Sequence, residues 1–115
     1  MTFLTKNTFD EVTIQKVWDR AVIVSGYDAA KYRKDVAGAW IQRDKYGDVS
    51  NDLGLGWEVD HRRPVTKGGT DDLSNLRPLH WKNNRSKGDD YPEWKSAVSS
   101  EDNKNVYKTQ GCKEN

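Results

Sequence analysis

The 115-residue sequence contains one cysteine, Cys112, and two histidines, His61 and His80. A single cysteine cannot form an internal disulfide bond, so we interpret Cys112 as a free surface thiol. A structural zinc site needs four nitrogen or sulfur ligands. Because these three residues are too few and too scattered, the sequence predicts no structural zinc.

Long apolar runs are also absent, since only 34% of the residues are hydrophobic and the mean hydropathy is -1.02. Crossing a bilayer takes roughly 20 apolar residues, which no stretch approaches. No charged region followed by an apolar run marks a signal peptide either. We therefore expect a cytoplasmic protein without a membrane partner, folded as one domain with a modest core.

The net charge of +1 argues against a strongly basic nucleic-acid-binding protein. The distribution of charge matters more than its sum, however. Between Trp57 and Asp89, seven Lys and Arg residues stand against five Asp and Glu residues. If a metal ion neutralises Asp60, this region attracts a polyanion more strongly than the count implies, and the affinity should be salt-dependent.

The residues that carry chemistry are concentrated in residues 56–89, GWEVDHRRPVTKGGTDDLSNLRPLHWKNNRSKGD. A carboxylate and an amide oxygen suit Mg²⁺ or Mn²⁺ when phosphate oxygens and water complete the coordination shell. Asp60 and Asn84 can supply these two oxygens. A neutral imidazole can take a proton from water near pH 7, and His61 directly follows Asp60.

Phosphodiester hydrolysis also needs positive charge near the phosphoryl oxygens. The candidates for contacts with nucleic acid are Arg62, Arg63, Lys67, Arg85 and Lys87. Arg62 and Arg63 are equally open to surface ion pairs. On a helix, Asn84 and Lys87 share a face, so the metal ligand and a phosphate-binding cation would point the same way.

The local pattern predicts two strands and a helix around this site. The first strand runs from Trp57 to about Arg63 and ends before Pro64. A polar loop over residues 66–74 leads to a short returning strand, Leu76 to Leu79, and a helix begins in Trp81 to Lys87.

The N-terminal part predicts a helix from Phe9 to about Arg20, begun by a capping box at Thr8 and Glu11 and burying parts of Phe9, Val12, Val17 and Trp18. Residues 21–28 predict a short extended segment or loop. Residues 29–35 predict one or two helical turns. Residues 38–43 predict a strand that pairs antiparallel with the strand beginning at Trp57.

From about Ser96 the sequence is polar and lacks periodicity. We therefore expect residues 96–115 to form a poorly ordered tail whose removal leaves thermal stability nearly unchanged. Before this tail, Tyr91, Pro92 and Trp94 are expected to pack onto the motif helix. The alternative is an aromatic platform on which nucleic-acid bases stack.

The stretch from Trp57 to Asp89 resembles the HNH endonuclease family, in the variant whose third motif residue is Asn. Residues 12–94 resemble small stand-alone bacterial and phage members of that family. The resemblance implies an α+β fold over residues 1–95 with a ββα-metal core, an N-terminal helix and an extra antiparallel strand. It also implies that His61 is the general base and that Asp60 and Asn84 hold the metal. Asn75 would fix the loop that orients His61.

The function that the resemblance implies is metal-dependent hydrolysis of DNA, with one Mg²⁺ or Mn²⁺ ion as cofactor. One version of the family binds a structural zinc through Cys-x-x-Cys pairs, but here the positions after Leu79 are His80 and Asn83. The role of His80 stays open between closing the strand–helix junction and binding phosphate or metal. Two alternative functions are a catalytically idle DNA-binding module and a nuclease toxin held by an immunity protein.

Overall fold

Two α-helices and four antiparallel strand pairs make up the fold of residues 8–115, the part of the chain that this computed structural model describes. The helices are α1 (Glu11–Trp18) and α2 (Trp81–Lys87). The strands are β1 (Tyr32–Lys34), β2 (Trp40–Gln42), β3 (Trp57–His61), β4 (Leu76–His80), β5 (Glu93–Lys95), β6 (Val98–Glu101), β7 (Lys104–Tyr107) and β8 (Gly111–Lys113). The predicted α+β class is confirmed, and the first seven residues of the predicted domain lie outside the described residues.

Helix α1 begins at its N-cap Asp10, whose carboxylate accepts a hydrogen bond from the Thr13 backbone N–H at 2.8 Å. Asp10, and not Thr8, is therefore the cap, because its carboxylate satisfies a free N–H of the first turn. The helix buries Ile14, Val17 and Trp18. Val12 lies on the opposite side and is 63% exposed, so its predicted burial was wrong.

The main core lies between α1 and the strands β2, β3 and β4. Its buried members are Ile14, Val17, Trp18, Ile41, Trp57, Val59 and Leu76. The indole of Trp57 packs against Trp18 at 5.4 Å and against Tyr46 at 5.1 Å between ring centroids. Burial of such large aromatic side chains compensates for the low apolar content of the chain.

The hairpin of β3 and β4 is the scaffold for α2. Its register places Asp60 opposite Arg77 and His61 opposite Leu76. His80 ends β4 and is also the N-cap of α2, so the helix follows the hairpin without a linker. Both predicted motif strands and the helix from Trp81 to Lys87 are confirmed.

Residues 29–35 differ in part from their prediction, because a single turn, closed by a hydrogen bond from the Tyr32 backbone N–H to the Asp28 carbonyl oxygen, leads into β1 and not into a helix. Strand β2 pairs with β1, and the predicted pairing of β2 with β3 was wrong. The cause lies in the connection between β1 and β2, where the buried Asp35 carboxylate accepts hydrogen bonds from the backbone N–H groups of Ala37 and Ala39. Gly38 supplies the positive φ of 90° that this tight turn requires.

The predicted disordered tail was also wrong, since β6, β7 and β8 lie within residues 98–113. Strand β8 pairs with β5 and β6 pairs with β7. Val98 is fully buried, and Asn105 exchanges hydrogen bonds with the backbone of Trp40. Polar anchors of this kind leave no apolar periodicity in the sequence, which explains why the strands were missed.

We expect a chain that lacks residues 98–115 to unfold at least about 10 °C below the full chain, because each kcal/mol shifts the melting temperature of a domain this size by roughly 4 °C. The truncation exposes the surfaces that Val98 and Glu114 cover. Differential scanning calorimetry measures the shift. The control removes only the exposed Asn115 and should melt with the full chain. Equal melting temperatures for all three chains would show that β6, β7 and β8 contribute nothing to stability.

Candidate functional site

Asp60 lies at the joint between the hairpin and α2 and is 1% exposed. Its Oδ2 accepts a hydrogen bond from Arg77 Nε at 2.9 Å, and its Oδ1 lies 3.2 Å from Lys87 Nζ. The predicted metal ligand therefore has a cationic partner at each oxygen.

Lys87 is the innermost of the predicted cations, with a side chain that has no solvent exposure. Besides its ion pair with Asp60, its ammonium group donates a hydrogen bond to the His61 carbonyl oxygen at 3.0 Å. In this structure Lys87 therefore cannot touch a phosphate group, contrary to the role that the sequence predicts for it. It instead neutralises the buried carboxylate.

Asn84 is one helical turn before Lys87 and is 1% exposed. Its Nδ2 donates to Glu58 Oε1 at 3.0 Å. Its Oδ1 has no hydrogen-bond partner, and Ser96 Oγ is the one other such buried side-chain atom between residues 8 and 115. Leaving a buried acceptor unpaired costs roughly 1–3 kcal/mol, so an unpaired amide oxygen calls for a functional explanation.

His61 faces the other side of the hairpin from Asp60, as neighbouring strand residues do. Its ring lies 5.9 Å from that of Phe9, and its Nε2 is 2.7 Å from Asp71 Oδ1. Asp71 was not among the predicted site residues. The signal was the acidic pair Asp71 and Asp72 in a loop that otherwise carries positive charge.

Asn75 closes the loop between β3 and β4. Its Oδ1 accepts from the Arg63 backbone N–H at 2.9 Å, and its Nδ2 donates to the carbonyl oxygens of Arg63 and Thr70. Gly69 packs so tightly here that an added Cβ would lie 1.7 Å from the Arg63 carbonyl oxygen. These contacts fix the ends of the segment leading from His61 to Asp71.

Arg77 and Glu114 extend the ion pairs beyond Asp60 and were not predicted. The Arg77 guanidinium donates hydrogen bonds to both carboxylate oxygens of Glu114, and Trp94 Nε1 donates to Glu114 Oε2 at 2.8 Å. Burial disfavours the charge of Glu114, but the hydrogen bonds and charge of Arg77 outweigh it. The pKa of Glu114 is therefore held below its ordinary value of 4.5.

The other predicted cations keep some exposure. Arg62 is paired with Glu114 at 3.4 Å, and its side chain is 38% exposed. Arg63 and Lys67 are exposed in the hairpin loop. Together with Ser74, Asn75 and Tyr91, Arg62 and Arg63 line a cavity of about 190 Å³. Arg85 is exposed at the surface of α2, where it pairs with Glu58.

His80 belongs to the strand–helix junction. Its Nδ1 accepts from the Lys82 backbone N–H, which leaves Nε2 to donate to the Gly54 carbonyl oxygen at 2.8 Å. Burial lowers the pKa of His80, in keeping with this neutral form. The aromatic residues that follow α2 in the chain differ in burial. Trp94 is buried against Leu79, whereas Tyr91 is half-buried near Arg63.

The joint between the hairpin and α2 offers oxygen donors to a divalent metal ion. The unpaired Asn84 Oδ1 and the carboxylate of Asp60 are hard oxygen donors of the kind that Mg²⁺ prefers. No group of three or more His, Cys, Asp and Glu residues that could hold a metal lies within residues 8–115. The residues therefore fit an ion that keeps several ligands from water or substrate.

Within residues 8–115, no helix is long and apolar enough to span a bilayer.

Residues 49–90 match the family model described as HNH endonuclease. This segment contains Asp60, His61, Asn75 and Asn84. No curated protein and no solved structure matched the chain.

We expect Glu114→Gln to lower the free energy of unfolding by roughly 1–3 kcal/mol at pH 7, because Arg77 loses a charged acceptor. A lowered pKa in the folded state stabilises the fold above the unfolded pKa, and this stabilisation is lost as the pH falls. The difference between the two proteins should therefore be full above pH 4.5 and shrink below it.

Urea unfolding of both proteins at pH 7 and pH 3 measures this difference. Glu93→Gln, in β5, is the matched control because Glu93 is exposed, and it should unfold like the wild type at both pH values. A stability difference between wild type and Glu114→Gln that is the same at both pH values would contradict the electrostatic explanation.

Proposed function

We propose that this chain is a metal-dependent DNA endonuclease, because residues 49–90 match the family model described as HNH endonuclease, which indicates nuclease activity in general. The observation that carries the proposal is the buried, unpaired Oδ1 of Asn84 on the helix face that packs over Glu58 and Asp60. In a purely structural joint this oxygen would have a donor.

The proposed metal site consists of Asn84 and Asp60 on the ββα unit of β3, β4 and α2. A bound Mg²⁺ or Mn²⁺ ion supplies charge stabilisation to the phosphoryl and leaving oxygens. The chain's own contribution is to hold the two oxygen donors on a rigid hairpin and helix. The buried Asp35 and Asn83 fix that helix by hydrogen bonds.

His61 is the proposed general base. The Asp71 carboxylate accepts a hydrogen bond from His61 Nε2–H, which leaves Nδ1 as the atom that removes a proton from water. Asn75 holds the loop that brings Asp71 to His61. The cations for the DNA backbone are Arg62, Arg63, Lys67 and Arg85, because their side chains are accessible.

A second candidate is a DNA-binding module of the same fold without catalysis. One observation favours it: Arg77 and Lys87 engage both oxygens of Asp60, the carboxylate that a metal would need. The two functions differ in whether chemistry follows binding, so cleavage assays separate them.

We expect the wild-type protein to relax supercoiled plasmid in Mg²⁺ or Mn²⁺ and to be inactive in EDTA. His61→Ala should lower the cleavage rate by roughly 10²- to 10⁴-fold, the usual contribution of acid–base catalysis, while DNA binding persists. Asn84→Ala should instead raise the Mg²⁺ concentration needed for half-maximal rate, because it removes a ligand and leaves the base. Agarose gels and a filter-binding assay measure both properties.

The preparation of His61→Ala, purified in parallel, also controls for contaminating host nuclease. Cleavage by wild type in EDTA would contradict the metal assignment. Binding of plasmid without cleavage in any metal would favour the DNA-binding module.

We expect Asp71→Asn to lower kcat by about tenfold or more, a part of the acid–base contribution, with little change in KM. The reason is that an amide cannot hold the His61 imidazole with a charged hydrogen bond. Steady-state cleavage of a labelled duplex measures both constants. The neighbouring Asp72→Asn is the matched control, since Asp72 is also exposed and does not contact His61. Equal kcat values for the two variants would show that Asp71 does not position the base.

A further inference from the structure

Three carboxylates near the predicted metal ligands, Glu58, Asp60 and Glu114, are each neutralised by cationic side chains of the chain itself. Glu58 pairs with Arg85 at 3.0 Å, and Asp60 pairs with Arg77 and Lys87. Glu114 is bound by Arg77 and Arg62. No negative charge among these residues is left over for a further cation, although the unpaired Asn84 Oδ1 lies on the same helix face.

Arg77 and Lys87 differ in how firmly they are held. Arg77 donates to Asp60 and twice to Glu114, and its guanidinium lies 5.5 Å from the centre of the Trp94 ring. Lys87 has one carboxylate oxygen and one carbonyl oxygen as partners. It is also the last residue of α2, directly before Gly88, which ends the helix with a φ of 51°.

We propose that the Lys87 ammonium group is an internal counter-ion that occupies the cation position beside Asp60 Oδ1 and must withdraw before a divalent metal can bind there. The inference rests on the proposed function, because that function places the metal at Asp60 and Asn84. A divalent ion added beside Arg77 and Lys87 would put four positive charges around one buried carboxylate, which Coulomb repulsion in a poorly solvated joint disfavours. Withdrawal of Lys87 removes this conflict and frees Asp60 Oδ1.

Two consequences follow for the proposed reaction. The metal-free protein keeps Asp60 paired, so the joint is stable without an ion. After withdrawal, the Lys87 side chain is free to reach solvent and contact a phosphate group, the role that its position in the sequence predicts. Metal binding and phosphate binding would then favour each other, because each removes Lys87 from Asp60.

The test measures Mn²⁺ binding in the absence of DNA by electron paramagnetic resonance, which reports free Mn²⁺. If Lys87 is withdrawn in about one molecule in ten or fewer, the wild-type Kd is weakened by about tenfold or more. Lys87→Met should therefore bind Mn²⁺ at least about tenfold more tightly than wild type. Lys82→Met, in the same helix but on its partly exposed surface, should bind like wild type.

Thermal unfolding gives a second measurement. Without metal, Lys87→Met should melt below wild type, because Asp60 loses one of its two cations, and Mn²⁺ should raise its melting temperature more than that of wild type. Asp60→Asn in the Lys87→Met background should abolish both responses. If Lys87→Met does not fold, Lys87→Gln decides, since it removes the charge but keeps a donor for the His61 carbonyl oxygen.

The inference is overturned if the Lys87 variants bind Mn²⁺ no more tightly than wild type, or if neither protein binds it. It is also overturned if tight binding survives Asp60→Asn. These results are independent of catalysis. Tighter Mn²⁺ binding by Lys87→Met in a protein that cleaves no plasmid would support the counter-ion and reject the nuclease. Metal-dependent cleavage with unchanged Mn²⁺ affinity would do the reverse.

Discussion

The buried carboxylate of Asp35 holds the structure together at the point where the hairpin becomes α2. It accepts four hydrogen bonds, from the backbone N–H groups of Ala37, Ala39 and His80 and from Asn83 Nδ2. Burial raises the pKa of Asp35, because loss of water disfavours the charged carboxylate. The hydrogen-bond donors offset part of this cost. Asn83 in turn accepts from the backbone of β6. Hydrogen bonds of Asp35 and Asn83 therefore connect the hairpin, α2 and β6.

The parts of the fold that could be predicted are those whose signals are local. Trp57 and Val59 alternate along β3, which ends at His61, three residues before Pro64, and α2 directly follows β4. Strand β1 was missed because a strand of three residues is too short to show an alternating apolar pattern. Its pairing with β2 is set by the turn at Asp35. The C-terminal strands were missed for a different reason. They are anchored by Asn83, Asn105 and Glu114, and polar anchors resemble surface residues in a sequence.

The candidate site shows the same division. The sequence could place Asp60 on a strand and Asn84 on the helix that follows, because both belong to one short segment. It could not show that Arg77 lies opposite Asp60, since this depends on the register of the hairpin. The contact between Glu114 and Arg77 was still harder to predict from the sequence, because it depends on the pairing of β8 with β5. The charge state of the site is therefore a tertiary property, although its donor atoms are encoded locally.

The buried ion pairs also determine which part of the surface attracts a polyanion. Lys87 and Arg77 contribute to the positive count of the motif, but their charges are used inside the joint. The accessible charge lies in the hairpin loop, on Arg62, Arg63 and Lys67. Because this loop begins directly after His61, the attraction is concentrated at the end of the hairpin where His61 and Asp71 meet. A phosphate backbone drawn to the loop would therefore arrive beside the proposed base.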